Sequence, residues 1–300
     1  MIGPAGAAAG DAVPMRSWSQ RVWARYRGNW SALAATAVLL LILASAAFAS
    51  QLAPHDPYAQ DLANRFKPPL GLAGGSIAYP LGTDGFGRDV LSRLLYGGRV
   101  SLLIGFVCST ISAAIGISLG LIAGYVGGKV DLVIMRLADV QLGFPFIVLA
   151  IAVIAVLGSA LPVLVGLLSI AGWVYYGRIT RGQTLRLRHA EYVEAARVVG
   201  AGTARIVARH VLPNVLSPNL VIWTFAIATL ILIESSLSFL GVGVQPPTPS
   251  WGNMLSDGRA YVDDAWWLAI FPGLAITVTV LAVNTLGDAL RDILDPRLGL

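Results

Sequence analysis

The sequence predicts an all-α, polytopic membrane protein with six transmembrane helices. Two features of the composition support this fold class: 56% of the 300 residues are hydrophobic and only 12% are charged, about half the charged fraction of a soluble domain. The third observation is where the charges lie. They leave uncharged runs that can cross a bilayer, which takes about 20 helical residues, and they collect between those runs.

Composition also narrows the function. The single Cys108 lies in an apolar run, so we expect no disulfide framework and no cysteine metal site. The formal net charge of +5 could suggest nucleic-acid binding, but a cytoplasmic excess of arginine explains it more simply. None of the three histidines is paired with a nucleophile in the local sequence, so we expect no catalytic residues and no metal. These histidines are His55, His189 and His210.

The first transmembrane helix is predicted over 31–53, which is uncharged. It follows a polar tail, 1–30, whose four arginines should keep the N-terminus in the cytoplasm. An alternative interpretation is a signal-peptidase site at Ala47-Phe48-Ala49 behind an apolar core. Because both the polar tail and the apolar run are long for a signal peptide, we expect a membrane anchor.

The next segment, 54–100, is polar and proline-rich and should lie outside the membrane. Asp84 and Asp89 suggest a turn followed by a helix start, and Gly97-Gly98 should end that helix at the membrane surface. The two aspartates could also suggest a metal site. They lack the ligand series of a calcium loop, so capping and turn formation are the expected roles.

The second span runs from Ser101 to Val126 and carries small residues at every fourth position. That spacing forms a surface for close helix packing, within the subunit or with a sister subunit. The surface consists of Ser112, Gly116, Gly120 and Gly124. Gly127-Gly128-Lys129 follows, but Ala123 and Val130 stand where a nucleotide-binding P-loop requires glycine and Ser/Thr. Any ATP that drives this protein should therefore bind to another chain.

The uncharged run 140–177 is about long enough for two spans, with a turn near Gly158 and Pro162. The loop that follows holds the densest positive charge in the chain, so it should be cytoplasmic. Counting spans from the N-terminus also places this loop inside. Its arginines are Arg178, Arg181, Arg186, Arg188, Arg197, Arg205 and Arg209.

The fifth span, 216–244, contains one ionisable residue, Glu234. An intramembrane carboxylate is costly, which favours a functional role on the translocation pathway. The alternative is a structural glutamate near the outer interface, bonded to a neighbouring helix. The last span is predicted over 265–286, and the tail 289–300 should return to the cytoplasm.

The arginine-rich loop contains two short amphipathic patterns separated by a bend. Tyr192, Ala195, Ala196 and Val199 share one helical face. Gly200 gives the backbone freedom to turn, Thr203 can cap a second helix, and Pro213 should stop it. Two small helices at an angle would form a knob that a partner could grip.

This loop resembles the EAA loop of permease subunits in binding-protein-dependent ABC importers. Glu194-Ala195-Ala196, Gly200 and Leu212-Pro213 match the family pattern at the right spacing. His210 stands where the general pattern has isoleucine. A histidine at this position resembles the pattern of the peptide-importer branch. Three more stretches resemble that branch: Leu81–Gly97, the loop that begins at Gln245, and the tail from Asp288 to Arg297.

The resemblance implies an ABC type-1 transmembrane domain over 101–288, with an ATPase-docking loop at 178–215. It also implies a multi-pass inner-membrane subunit that imports dipeptides or short oligopeptides and performs no chemistry. The implied partners are a second permease in a heterodimer, one or two ATPase subunits that carry ATP and Mg, and an extracytoplasmic peptide-binding protein. Nickel, glutathione or another small solute remains an alternative cargo. The alternatives from other classes are an ATP-independent channel and a membrane-embedded enzyme.

Overall fold

The computed structural model describes residues 18–294, which form helices joined by short loops and one long segment before α4. The helices are α1 (Trp18–Gly28), α2 (Trp30–Ala47), α3 (Ala49–Leu52), a 3₁₀ turn (Leu62–Asn64), α4 (Val90–Val126), α5 (Gly128–Leu142), α6 (Phe146–Leu157), α7 (Leu161–Leu187), α8 (Glu191–Val198), α9 (Thr203–Ile206), a π-helical segment (Val207–Val211), α10 (Leu212–Phe239), α11 (Trp251–Arg259) and α12 (Trp267–Leu294). The predicted all-α class is confirmed.

Within the described residues, five helices are long and apolar enough to span a membrane. A sixth span results if α5 and α6, which meet at 88°, count as one. The sequence predicted an unbroken span here. Gly143 ends α5, and Pro145 disfavours helical geometry at the residue before it, so the chain bends. The predicted break at Gly158 is confirmed, since α6 ends there.

The predicted end of a helix at Gly97-Gly98 is wrong. Helix α4 runs without interruption from Val90 to Val126, so the proposed interfacial helix is its first part. The two glycines instead permit close contact with the loop before α11. A Cβ on Gly97 would lie 3.2 Å from the Ser250 carbonyl carbon, and one on Gly98 would lie 3.0 Å from the Trp251 ring.

The small-residue surface of α4 packs against α7 within this chain. A Cβ on Gly116 would lie 2.3 Å from the Trp173 carbonyl oxygen, and one on Gly120 would lie 2.5 Å from the Gly177 carbonyl oxygen. Ser112 adds a hydrogen bond from its Oγ to the Ser169 carbonyl, at 2.7 Å. The two backbones approach too closely for any side chain larger than hydrogen at these glycines, which binds α4 and α7 into one unit.

Helix α10 is longer at its start than the sequence predicted. Thr203 does not cap with its side chain, since Gly202 is the N-cap residue. Pro213 does not stop the helix either, because the π-helical turn leads directly into α10. A proline is tolerated in the first turn of a helix, where its missing N–H has no partner to lose. At the other end of the chain, α12 continues through Leu294, so the predicted tail begins as helix.

Helix α2, which contains most of the predicted first span, is integrated into the fold. Ala32, Ala35 and Ala46 are buried, and α2 contacts both α12 and α4. Arg99 of α4 satisfies two carbonyls at the C-terminal end of α2. Its Nε donates to the Ala46 carbonyl at 2.5 Å, and its Nη2 donates to the Ala47 carbonyl at 2.8 Å. This packing agrees with a retained anchor.

The turn and capping roles predicted for the two aspartates before α4 are confirmed. Asp89 is the N-cap of α4, and its Oδ2 accepts from the Ser92 backbone at 2.9 Å. Asp84 accepts from the backbone N–H groups of Phe86 and Arg88, at 2.9 and 3.0 Å. Both carboxylates therefore fix the loop that leads into the long helix.

Candidate coupling site and the buried carboxylate

Helix α8 has one buried side, and this side attaches it to the long helices. Val193 is fully buried among Leu121 of α4, Ile206 of α9, Val211 of the π-helical segment and Val215 of α10. Close-packed side chains transmit displacement because they leave no free space. A force applied to α8 would therefore reach α4 and α10 directly.

The end of α8 confirms the prediction for Gly200. This glycine has φ +86°, in the left-handed region that favours glycine. The N–H of Gly200 bonds to the Arg197 carbonyl, and the N–H of Ala201 bonds to the Ala196 carbonyl, both at 3.0 Å. This pair of bonds is the Schellman motif, which satisfies the last carbonyls of a helix.

The opposite side of α8 is open, with exposed glutamates in its first turn and apolar residues toward its C-terminal end. Val198 and Val199 are 87% and 88% exposed, and Tyr192 is 44% exposed. Ala195 is exposed as well, whereas Ala196 is half-buried against the cluster around Val193. The predicted face is therefore divided: Tyr192, Ala195 and Val199 face outward, and Ala196 faces the protein. Val198 belongs to the open surface although the sequence analysis did not select it.

The remaining residues of the matched motif lie beside α8. The His210 ring is tilted against the Tyr192 ring, with centroids 6.3 Å apart. Leu212 packs on the Val193 cluster, and Pro213 is exposed. Glu194 is exposed in the first turn of α8, where the helix dipole favours a negative charge. The structure thus brings the residues of the EAA-like motif together around α8. Some of them pack against the rest of the protein, and the others are exposed.

Arginines around α8 fall into two groups. Arg178 pairs with Asp139 at 2.6 Å, Arg181 pairs with Asp131 through both nitrogens of its fork, and Arg188 donates to the Gly124 carbonyl at 3.1 Å. The second group has no carboxylate within ion-pair distance in the described part of the chain, and its members are exposed: Arg186, Arg197, Arg205 and Arg209. Open positive charge therefore surrounds the apolar surface of α8.

Glu234 is fully buried near the end of α10. Its Oε1 accepts from Ser238 Oγ at 2.7 Å, and its Oε2 accepts from Ser101 Oγ of α4 at 3.1 Å. Ser101 Oγ also accepts from the Trp251 backbone N–H at 3.3 Å. This network joins α10, α4 and α11, which is the arrangement expected of a structural glutamate bonded to a neighbouring helix.

A buried amide that the sequence analysis missed joins α10 to α7. Asn219 is 2% exposed, and its Nδ2 donates to Thr180 Oγ1 at 2.9 Å. An amide inside an apolar run was the available signal, because buried polar side chains in such runs require partners. The bond from Asn219 to Thr180 is a buried polar contact between α10 and α7. Both helices also contribute side chains to the cluster around Val193.

Comparison with known families and proteins shows which proteins this chain resembles. Residues 116–300 match the family described as binding-protein-dependent transport system inner membrane component. Residues 17–69 match the N-terminal transmembrane domain of oligopeptide transport permease C.

Similar curated proteins extend over nearly the whole length. The di/tripeptide transport system permease protein of Pseudomonas aeruginosa is 44% identical, covering 92% of this chain and 91% of its own. The dipeptide transport system permease protein of Bacillus subtilis is 38% identical, covering 95% and 88%. The glutathione transport system permease protein of Pectobacterium atrosepticum is 44% identical, covering 92% and 90%.

Among solved structures, the inward-facing MetNI methionine ABC transporter has a chain with the same fold. Its TM-score is 0.53 at 20% identity, covering 67% of this chain and 95% of that chain. The fold is therefore that of an ABC importer's transmembrane domain. Together with the family match over more than half its length, this shows that the chain belongs to the family of inner membrane components of binding-protein-dependent transport systems.

Proposed function

We propose that this chain is a permease subunit that imports dipeptides or short oligopeptides and is coupled to separate ATPase subunits through α8. The observation that carries the proposal is the division of α8 into a buried side and an open side. The buried side is attached to α4 and α10 through Val193. The open side presents Val198 and Val199 beyond the spans, and neighbouring exposed valines favour a protein partner.

The coupling mechanism follows from this attachment. ATP and Mg bind to the partner ATPases, whose closure displaces α8. Because α8 packs on the last turns of α4 and the first turns of α10, its displacement tilts both helices. The small-residue surface of α4 joins it to α7, so α7 moves with α4. Alternating access then results from rigid-body motion of these helices, and this chain makes no bond and breaks none.

An arginine on the open side of α8 tests this coupling. We expect Ala195→Arg to reduce copurification of the ATPase subunits by at least about tenfold, since an extra charge would be buried against the partner. Assembly with the sister permease should persist, because Ala195 is exposed. Ala63→Arg, at an exposed alanine far from α8, is the matched control and should change nothing. A membrane-surface anchor predicts normal ATPase docking in both variants, since added positive charge strengthens attraction to anionic lipid. That result would contradict the coupling role.

The proposed topology places both termini and α8 in the cytoplasm. Its support is the positive charge around α8 and before α2. A phosphatase that is active only outside the membrane should be active when fused after Gly74 or Asp257 and inactive after Arg186. High activity at Arg186 with none at Gly74 would reverse the orientation.

A peptide is the proposed solute because peptide permeases lie among the most similar relatives over nearly the full length. The glutathione permease, with its similar identity, supports a second candidate, the tripeptide-like thiol. Competition for uptake between labelled dialanine and unlabelled glutathione, in vesicles that contain the whole transporter and its binding protein, would separate the two. The peptide assignment would be contradicted if glutathione inhibits the uptake of labelled dialanine at concentrations where unlabelled dialanine does not.

A further inference from the structure

A cavity of about 280 Å³ lies at the end of the subunit away from α8. It is lined by the turn before α4, the first residues of α4, α11 and the start of α12. Its charged lining residues are Arg65, Asp84, Arg88, Arg93 and Asp257. The α8 cluster contacts α4 at Leu121, several helical turns further along, so the cavity is separate from the coupling site.

Two of the lining arginines are buried, and the guanidinium of one of them makes ion pairs but lacks hydrogen bonds within the described part of the chain. The side chains of Arg88 and Arg93 are only 8% and 4% exposed. Arg88 donates from Nε to Asp84 Oδ2 at 2.7 Å. Arg93 lies 3.6 Å from Oδ2 of both Asp84 and Asp257, too far for a good hydrogen bond. Its Nη1 is buried without any hydrogen-bond partner in the structure.

This arrangement leaves a positive charge incompletely compensated. Three arginines and two aspartates line the cavity. Asp257 is 48% exposed at its side chain and is shared between Arg88 and Arg93. Burial raises the pKa of the Asp257 carboxyl in spite of both arginines. A buried guanidinium with an unsatisfied N–H is unfavourable unless a ligand completes its hydrogen bonds.

We propose that this cavity binds a single carboxylate group, held by the guanidinium of Arg93. The planar fork of arginine matches the two oxygens of a carboxylate, and the pair gains charge-assisted hydrogen bonds. A phosphate dianion suits the cavity less well, because Asp84 and Asp257 would repel its second charge. The volume admits one short chain with its terminal or side-chain carboxylate and excludes a folded domain.

Two sources can supply this carboxylate on the outer side that the proposed function assigns to the cavity. One is the free C-terminus of a short peptide. The other is an acidic side chain of the binding protein when it docks. The inference rests on the proposed function for this location and for the choice of sources, whereas the carboxylate chemistry follows from Arg93 and its neighbours.

Calorimetric titration of the purified, assembled transporter tests the chemistry directly. Sodium acetate and dialanine should bind at constant ionic strength, and dialanine amide and chloride should not. Arg93→Met should weaken binding by at least about tenfold. Asp257→Asn should tighten it about threefold, because it removes a competing negative charge at a half-exposed position. This opposite effect keeps the test valid if Arg93→Met does not assemble. Arg259→Gln, at an exposed arginine of α11 that does not line the cavity, is the matched control.

A second experiment identifies the source. The affinity of the ligand-free binding protein for the transporter is measured with the same three variants. Weaker docking in Arg93→Met, with tighter docking in Asp257→Asn, assigns the carboxylate to the binding protein. Unchanged docking together with the expected dialanine response assigns it to the peptide.

The proposal is overturned if neither acetate, dialanine nor binding-protein affinity responds to Arg93→Met or Asp257→Asn. It is also overturned if dialanine amide binds as well as dialanine in all variants. Failure of the proposed function would be seen elsewhere, as loss of ATPase copurification or of uptake in the wild-type transporter, and acetate titration depends on neither.

Discussion

The small-residue surface of α4 and the open side of α8 both carry small or short apolar residues, yet only the surface of α4 is covered. Gly116, Gly120 and Gly124 lie within van der Waals contact of α7. Val198 and Val199 of α8 have almost no neighbours. The contrast shows that a small-residue pattern identifies a close contact but not its partner. In α4 the partner is in the same chain, whereas for α8 we propose that it is another chain.

The largest expected effect comes from breaking the covered surface. Gly120→Leu would place a Cβ 2.5 Å from the Gly177 carbonyl oxygen and 2.7 Å from Thr180 Cβ. Backbone atoms cannot move aside, so we expect about 3 kcal/mol of destabilisation or more. Thermal unfolding of the purified transporter and the yield of assembled complex measure this effect. Gly166→Leu is the control, since a Cβ on this α7 glycine has nothing within 4 Å. Equal stability of the two variants would show that the α4–α7 contact is not close.

A smaller effect is expected at the end of α8. Gly200→Val forces a β-branched residue into φ +86°, at a cost of about 1–2 kcal/mol. The strain should fray α8 and reduce ATPase copurification while the permease still assembles. Gly202→Val is a close control, because Gly202 has φ −66° and a Cβ added at either glycine would meet no atom within 4 Å. If both variants dock the ATPases equally, the left-handed turn is not needed for coupling.

The smallest effect is expected from Glu234→Gln, a conservative change at a buried polar side chain. Like the small-residue surface of α4, Glu234 is already partnered within the chain. Glu234→Gln keeps an acceptor oxygen for one serine and offers an N–H₂ to the other. We therefore expect nearly normal uptake of labelled dipeptide, whereas Glu234→Leu should lose about 1–3 kcal/mol of stability by leaving Ser101 and Ser238 without an acceptor. Loss of uptake by a normally assembled Glu234→Gln complex would instead assign Glu234 to the pathway.

Much of the fold could be predicted from local sequence. Uncharged runs predicted the spans because burial of charge in a bilayer is costly. Gly200 was predictable because a helix end with a left-handed residue strongly favours glycine. The matched motif predicted which loop carries the candidate site. These features depend on solvent and on backbone geometry, which act on each stretch separately.

Several expectations failed because their outcome depended on the surrounding structure and not on the residues themselves. Gly97-Gly98 could end a helix or permit a close contact. The structure shows the contact, because the Trp251 ring packs against Gly98. Pro213 could stop a helix or lie in its first turn, and the preceding π-helical turn decided for the latter. Ala196 could face a partner or the protein, and the cluster around Val193 turned it inward.

The amino-acid sequence by itself determined the fold class, most of the helical spans and the position of the EAA-like motif, since hydropathy and backbone preference are local properties. Only the tertiary structure decided which small residues meet inside the chain, which apolar side chains remain open, and that Arg93 lies buried beside two aspartates with an unpaired N–H. A glycine, an alanine or an arginine has the same intrinsic preferences in either setting. What differs is the neighbour that packing brings to it, and packing joins residues that are far apart in the chain.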